Sequence, residues 1–353
     1  MVAADKSKYV VSGIGIELDE GGKNSDIQSY NIITLKIFSK KLKFLPKALR
    51  HFFTLIEFFA KSFFFALKSK PDIIHCNDTL VLPVGLFVKF FTKSKLVYDA
   101  HELESDRNGL SKTLGKATLF VEKLSWKYID ALIVVSPSIE IWYKEKFGDK
   151  NSAVILNSPA FDDTFVANKK YLREFFNIPT ESKIFIYIGI LGPGRGIDEV
   201  LEVFKKTSRS HLVFLGYGEY SEKLKVLEGL HDNIHVHEAV GHDKVVEIAS
   251  SADGGLCLIQ NVSLSDYYCL PNKLFEYAFS GVSVLASDFP DISKVVKDYG
   301  LGVCVDLTPA SISNGIKKIE LDNTLLKMDK EKLHEISWAS QEEKLIKLYS
   351  QLN

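Results

Sequence analysis

Cysteine is scarce in this chain, with four in 353 residues, and Cys76, Cys257, Cys269 and Cys304 show no spacing that would gather a metal ion. Cys257 and Cys304 fall in the apolar runs GLCLI and GVCVD, which read as buried strands. Reduced thiols packed as small hydrophobes are expected. An excess of either charge is also missing: 44 Lys and Arg against 45 Asp and Glu leave a formal net charge of -1. That balance gives no electrostatic case for nucleic acid as a partner. Residues 1–9 are polar and charged, without the apolar stretch of a secretory signal. No apolar run is clean enough for a simple membrane-spanning helix, because the greasiest one, 45–67, is broken by Lys47, Arg50, His51, Glu57 and Lys61. A cytoplasmic protein is expected.

What is there is a globular composition, 46% hydrophobic and 25% charged, in a chain long enough for two cores. Strand and helix patterns alternate through most of it. In the first half, 9–16 (YVVSGIGI), 72–75 (DIIH), 95–98 (KLVY) and 131–135 (ALIVV) are β-branched runs of the kind buried in parallel sheets. A helix is expected over 112–128. Asn157-Ser158-Pro159 breaks the pattern after a strand at 153–156, and a polar stretch to about Lys170 reads as an interdomain linker. Alternation restarts with strands at 184–189, 212–216, 234–237, 255–259, 282–287 and 302–305. The fold class is therefore α/β, two Rossmann-like domains facing across a cleft, with 1–157 as the first domain and 158–336 as the second. The Phe-rich, basic segment 45–67 has two readings: an amphipathic helix packed on its own domain, or a helix resting on the cytoplasmic face of a membrane.

Ligands of open α/β sheets bind beyond the carboxyl ends of the strands, and the unusual residues follow strands here. In YIGILGPGRGID (187–198) a strand leads through Gly192, Gly194 and Gly196 into a helix expected near Ile197. Glycines let backbone approach an anion, the helix N-terminus offers unpaired N–H groups, and Arg195 adds a charged fork suited to phosphate. An ordinary turn with a solvated arginine is the alternative. Neither a Walker loop nor GxGxxG is present. In LPNKLFEY (270–277), Pro271 suits the first position of a helix and Gly281 its end. Lys273 and Glu276 share one helical face. Either they bind phosphate oxygens and ribose hydroxyls, or they form a surface ion pair of little consequence. Two cationic helix starts after different strands of one domain suit a diphosphate leaving group. No Asp-x-Asp occurs, so no metal is expected to be required. His235 and His237 alternate on one strand, with His231 and His242 nearby, and surface or packing roles are expected for them.

The order YIGILGPGRGID, LVFLGYGE, ADGGLCLI and LPNKLFEYAFSGVSVLASD resembles the nucleotide-sugar domain of the family 4 retaining glycosyltransferases, which have the GT-B fold. The resemblance covers about 184–306 well and the first domain less fully. It implies a donor site of Gly192, Gly194, Arg195, Gly196, Gly216, Gly218, Asn272, Lys273, Leu274 and Glu276. Arg195 and Lys273 would lie on the phosphates, Glu276 on the ribose, and the base near the backbone of Val240 and Gly241. It also implies that His101, in VYDAHE, points into the cleft near the donor sugar as the catalytic-site residue of the first domain. His75, Asn77, Asp78 and Glu102 are candidates for the acceptor side. Two departures stand out: Tyr268 occupies a position where the family often has Glu, and Ile190 one where it often has Arg. The first strand and helix of the family's first domain have no counterpart at the start of the chain. The segment 337–353 resembles the family's terminal helix, which returns to the first domain.

The function implied is retaining transfer from a nucleoside-diphosphate sugar to a glycan or lipid-linked glycan in cell-surface polysaccharide synthesis, with no cofactor. An inactive binding or regulatory subunit of the same fold and a sugar-nucleotide epimerase are the alternatives.

Overall fold

The structure is a computed structural model that describes residues 9–16, 31–162, 164–206, 209–321 and 330–352. Residues 1–8, where no secretory signal is expected, lie outside the described residues. The first half contains β1 (Ser12–Ile16), β2 (Asn31–Leu35), α1 (Lys47–Ser69), β3 (Ile73–Asn77), α2 (Leu82–Thr92), β4 (Lys95–Ala100), α3 (Lys112–Ser125), β5 (Ala131–Val134), α4 (Pro137–Phe147) and β6 (Ser152–Val154). The second half continues with α5 (Tyr171–Phe176), β7 (Lys183–Ile190), α6 (Ile197–Phe204), β8 (Ser210–Tyr217), α7 (Ser221–Glu228), β9 (Ile234–His237), α8 (His242–Ala249) and β10 (Gly254–Cys257). It closes with α9 (Leu264–Tyr267), α10 (Asn272–Phe279), β11 (Ser283–Ser287), α11 (Pro290–Asp298), β12 (Gly302–Val305), α12 (Pro309–Leu321), α13 (Lys330–Glu335) and α14 (Trp338–Ser350).

All described strand pairs are parallel. The second half forms one six-stranded sheet in the order β12-β11-β10-β7-β8-β9, the first half a four-stranded sheet β3-β4-β5-β6, and β1 pairs with β2 separately. Helices cover both faces of the six-stranded sheet, and its central strands are largely apolar: in β7 (KIFIYIGI), residues 185–188 are all buried, and every residue of β10 and β11 is. Two separate clusters of side chains mark its two faces, one around Ile186, Phe275 and Tyr277, the other around Phe185, Phe214 and Leu256. The first half has its own core around Tyr98, Leu132 and Tyr143. On the opposite face of that sheet Val97, Ala131 and Ile133 are covered by Leu345, Leu348 and Leu352 from α14 and the residues just after it.

Local chemistry explains several boundaries. Ser111 Oγ accepts the Leu114 N–H at the start of α3, and Ser136 Oγ accepts the Ile139 N–H at the start of α4, where Pro137 takes the first helical position. Three expectations need correction. The first strand begins at Ser12 rather than at residue 9, and the helix expected over 112–128 ends its α-helical part at Ser125 and finishes as a 3₁₀ turn, Trp126–Tyr128. Pro271 is the N-cap of α10 in an extended conformation, so the helix starts one residue later, at Asn272. The segment 45–67 does form a helix, α1, but only Phe58 and Ser62 of it are buried. No described helix is long and apolar enough to cross a membrane.

Candidate nucleoside-diphosphate site

In the six-stranded sheet the strand order reverses between β7 and β10. A crevice opens beyond the carboxyl ends of the strands at such a point. The loop that leaves β7 there is Leu191–Gly196. Gly196 has φ +67, and a Cβ on it would fall 2.8 Å from Leu258 Cβ in the segment after β10, so glycine is required on both counts. The Gly194 carbonyl accepts the Gln260 N–H at 3.0 Å, and Gln260 Nε2 donates to Glu199 Oε1 at 2.7 Å, tying the two loops together. On the other side of β7, Gly216 lies opposite Gly189. A Cβ there would sit 1.9 Å from the Gly189 carbonyl oxygen, and one on Gly218 would sit 2.3 Å from that of Leu191. These glycines let three backbone segments meet with no side chain between them. The helix α6 then begins at Ile197 with no side-chain cap on its first N–H groups.

Helix α10 is seated against this loop by Tyr277. Its hydroxyl accepts the Ile188 N–H and donates to the Ile186 carbonyl, both at 3.0 Å, and its ring lies over Gly255, where a Cβ would come within 2.4 Å. That anchor carries Lys273, one turn earlier, to the end of β7. Lys273 Nζ stands 3.8 Å from the centroid of the Tyr187 ring and has no hydrogen-bond partner. A Cβ on Gly189 would be 4.0 Å from it. A buried ammonium held by an aromatic face alone lacks the anionic partner that normally accompanies it. Glu276 is buried as well, and burial pushes its carboxyl above the usual range, opposed by His242 and Lys273. No ion pair joins Lys273 to Glu276; Glu276 is buried, and Lys273 is half-buried with its Nζ enclosed. The surface ion pair considered from the spacing is therefore excluded. Asn272 is exposed and Leu274 is fully buried, so Leu274 supports the helix from within its core.

Arg195 is partly exposed, with Nη1 3.9 Å from Asp266 Oδ1. That loose contact leaves most of the guanidinium fork free. Tyr268, at the position where the resemblance would favour Glu, faces away: its ring packs into the first-half core, and its carbonyl accepts Ser136 Oγ at 2.6 Å. The carboxylate nearest Arg195 is supplied by Asp266, two residues earlier.

The first half reaches this site through the loop after β4. His101 and Glu102 open it and are exposed, His101 Nδ1 lying 3.7 Å from Asp99 Oδ1. Further along, the Leu103 N–H donates to Ser265 Oγ at 3.2 Å, and the Asp106 carbonyl accepts the Ser265 N–H at 3.0 Å. Asn108 lies against the glycine loop, its Nδ2 2.7 Å from where a Gly194 Cβ would be. The structure thus brings the loop of His101 onto the loops of Arg195 and Asp266. His75 is instead engaged by protein: Nε2 pairs with Asp99 Oδ2 at 2.9 Å, and Nδ1 meets the Tyr349 hydroxyl from α14. Asn77 is exposed, and Asp78, at φ +79, faces Arg107 at 3.9 Å. Beside Asp78, burial and that neighbouring carboxylate push Glu104 up to about 8, against the pull of Arg107.

His235 and His237 have packing partners. The His235 ring stacks on His211 with a 2.9 Å nitrogen contact, and His237 Nε2 meets Tyr171 Oη at 2.8 Å. Among the described residues no group of three or more His, Cys, Asp and Glu is placed to hold a metal ion. Sequence reasoning missed Tyr187, Tyr277, Gln260, Asp266 and Asn108. Only the first two carried a signal, as aromatics inside the two segments already singled out.

Comparison with known proteins bears on the same region. Residues 168–337 match the family model described as glycosyl transferases group 1. An uncharacterised glycosyltransferase of Methanocaldococcus jannaschii is 26% identical over 265 residues, 69% of this chain and 64% of the relative, so less than two thirds of that relative is spanned. Among solved structures, sucrose-phosphate synthase from Thermosynechococcus elongatus superposes with a TM-score of 0.78 at 19% identity, covering 98% of this chain and 90% of the other. An Anabaena protein, HepE, solved in complex with UDP, gives 0.63 at 15% identity over 91% and 84% of the two chains. The fold is that of these GT-B proteins, two Rossmann-like halves.

Proposed function

From a 168–337 segment that matches the glycosyl transferases group 1 family, we propose that the chain transfers a sugar, with retention, from a nucleoside-diphosphate sugar to a glycan or lipid-linked glycan. The observation that carries the reading is the unpartnered Lys273 ammonium against Gly189 at the end of β7, in the first turn of α10, whose start lacks a side-chain cap as that of α6 does, in the half that also presents Arg195. A diphosphate placed there supplies the missing counter-charge. The uncapped N–H groups of α6 and α10 add the partial positive charge of helix N-termini.

In the reaction so proposed, the bond between the anomeric carbon and the diphosphate oxygen breaks as negative charge grows on that oxygen. Lys273, Arg195 and the backbone N–H groups stabilise that charge more in the transition state than before it. The acceptor oxygen bonds to the same face of the anomeric carbon, and its proton passes to the departing phosphate. Glu276 accepts the ribose hydroxyls, and His101 orients the sugar from the facing loop. The reading needs no metal or cofactor. The four free cysteines fit a reducing, cytoplasmic setting, and cell-surface polysaccharide synthesis is the role in which such transfer would act.

The test is a thermal-shift panel of UDP, GDP and dTDP on the wild type and on Lys273→Met. One nucleoside diphosphate should raise the wild-type melting temperature. In Lys273→Met the binding should weaken about tenfold or more, the scale of losing a charge-assisted phosphate contact. The unliganded variant should melt no lower than wild type, because a buried ammonium without a counter-ion has been removed. Equal affinity in the two proteins would remove Lys273 from the site. Binding without transfer across donor sugars and acceptors would identify an inactive subunit.

A further inference from the structure

Helix α1 turns its apolar stripe outward. Leu49, Phe52, Phe53, Ile56, Ala60 and Phe64 recur at the spacing of one helical face, and all six are exposed, Phe52 at 57% and Phe64 at 67%. The opposite side, around Phe58 and Ser62, is the one that is buried. That side packs Phe58 and Phe59 against Leu35, Ile37 and Val81, so α1 carries apolar residues on two sides and only one of them is covered. The stripe meets exposed phenylalanines of α2. Phe63 meets Phe91 edge-on at 5.8 Å, and Phe87, Phe90 and Phe91 are all exposed, Phe90 at 81%. Phe38 lies beside Phe53 and Ile56 with Lys61 Nζ 4.4 Å over its ring, and the exposed Phe44 precedes α1. An exposed apolar face of this extent is uncommon on a soluble surface and marks an interaction site.

The charge around it selects the occupant. Residues 36–70 hold nine Lys and Arg and a single acid, Glu57, in a chain whose formal net charge is -1. Glu57 is itself engaged. Its carboxylate accepts the N–H groups of Phe38 and Ser39 at 2.9 and 2.7 Å and pairs with Lys61 at 2.5 Å, fastening the 38–41 turn to α1. Aromatic side chains flanked by lysines with no free carboxylate match the interface of an anionic bilayer, where rings enter the acyl boundary and ammonium groups meet the headgroups.

We propose that the face formed by the 38–44 turn, α1 and the Phe-bearing side of α2 lies in the interface of a bilayer containing anionic lipid. The transfer site then receives its acceptor from that surface as a lipid-linked molecule. The docking itself stands on this face alone; only the statement about the acceptor rests on the proposed transfer reaction.

Flotation of the full chain with phosphatidylcholine vesicles, with and without phosphatidylglycerol, tests the docking. The wild type should float with the mixed vesicles, less with phosphatidylcholine alone, and less at high salt. The double variant Phe52→Glu/Phe64→Glu should stay unbound, and Lys43→Gln/Lys47→Gln should lose the preference for phosphatidylglycerol. Both variants should keep the wild-type thermal shift with a nucleoside diphosphate, which separates failure of this surface from failure of the donor site. A wild type that does not float, or a Phe→Glu variant that floats equally well, overturns the proposal. A concentration-dependent dimer that Phe52→Glu/Phe64→Glu converts to monomer would assign the face to a second copy instead.

Discussion

At the residue scale the candidate site departs from ordinary burial rules at Lys273, Glu276 and Glu104. Lys273 is the most telling, because its charge has an aromatic face and no acid. Glu104 is a buried acid that burial and Asp78 push from 4.5 up to about 8. Its raised value has a thermodynamic consequence of definite sign. Between those two values the unfolded chain has released this proton and the folded chain keeps it, so folding is favoured less as pH rises. The contribution is fully present below pH 4.5 and lost as pH climbs through about 8. Glu104→Gln removes the titration. The melting temperature of the variant should therefore fall less steeply than that of wild type from pH 5 towards about 8, measured by scanning calorimetry in matched buffers. Identical slopes would mean that Glu104 ionises at its ordinary value in the fold.

At the scale of elements, short polar contacts between loops and helix ends join the two halves alongside the apolar packing of Tyr268 and α14 on the first sheet's core. Asp291, in the first turn of α11, is buried, and its Oδ2 accepts the Ser138 N–H at 3.1 Å, at the first turn of α4 in the other half. A carboxylate at that position satisfies an otherwise unpaired donor and complements the positive end of the helix. Asp291→Ala should cost about 1 kcal/mol, with Asp291→Asn recovering part of it through its remaining oxygen. Urea unfolding of the three proteins checks this, and equal losses in both variants would show that the acceptor oxygen is immaterial.

The elements also show what the sequence made readable. The six strands of the larger sheet were expected within a few residues of where they lie, because short β-branched and apolar runs such as FIYI in β7 and LVFL in β8 mark strands buried on both faces. The NIITL strand β2 was not, since it is short and follows a long polar stretch. The glycine loop and the Lys273–Glu276 helix were legible from residue type and spacing. The contacts of Asn108 with the Gly194 loop, of Ser265 with Leu103, and of Asp266 with Arg195 were not. They join loops of no periodic pattern from distant parts of the chain, and only the folded positions of the two sheets bring them together. The outward stripe of α1 was half legible: the composition gave apolar residues on more than one side of the helix, and nothing in it said which side would be covered.

At the scale of the whole molecule, α14 links what the two sheets do separately. It follows the second half yet lies on the first, where Leu345 and Leu348 cover Val97, Ala131 and Ile133. It enters with the Trp338 N–H on the Pro159 carbonyl and Gln341 Oε1 on the Leu156 N–H, so both chain crossings between the halves are bound together. Near its end Tyr349 meets His75, which in turn pairs with Asp99, the residue His101 faces. Loosening α14 should therefore reach the cleft without touching a donor residue. Leu348 is buried among these strands, and Leu348→Ala leaves a cavity worth about 2–4 kcal/mol. The expected result is a lower-melting first half while the rise in melting temperature that a nucleoside diphosphate produces in the second half persists, because Arg195, Lys273 and Glu276 rest on other packing. Calorimetry with and without the nucleotide reads both at once. An unchanged profile would show that α14 is not needed to hold the first sheet. Loss of the nucleotide effect would show that the donor site depends on this helix as much as on its own domain.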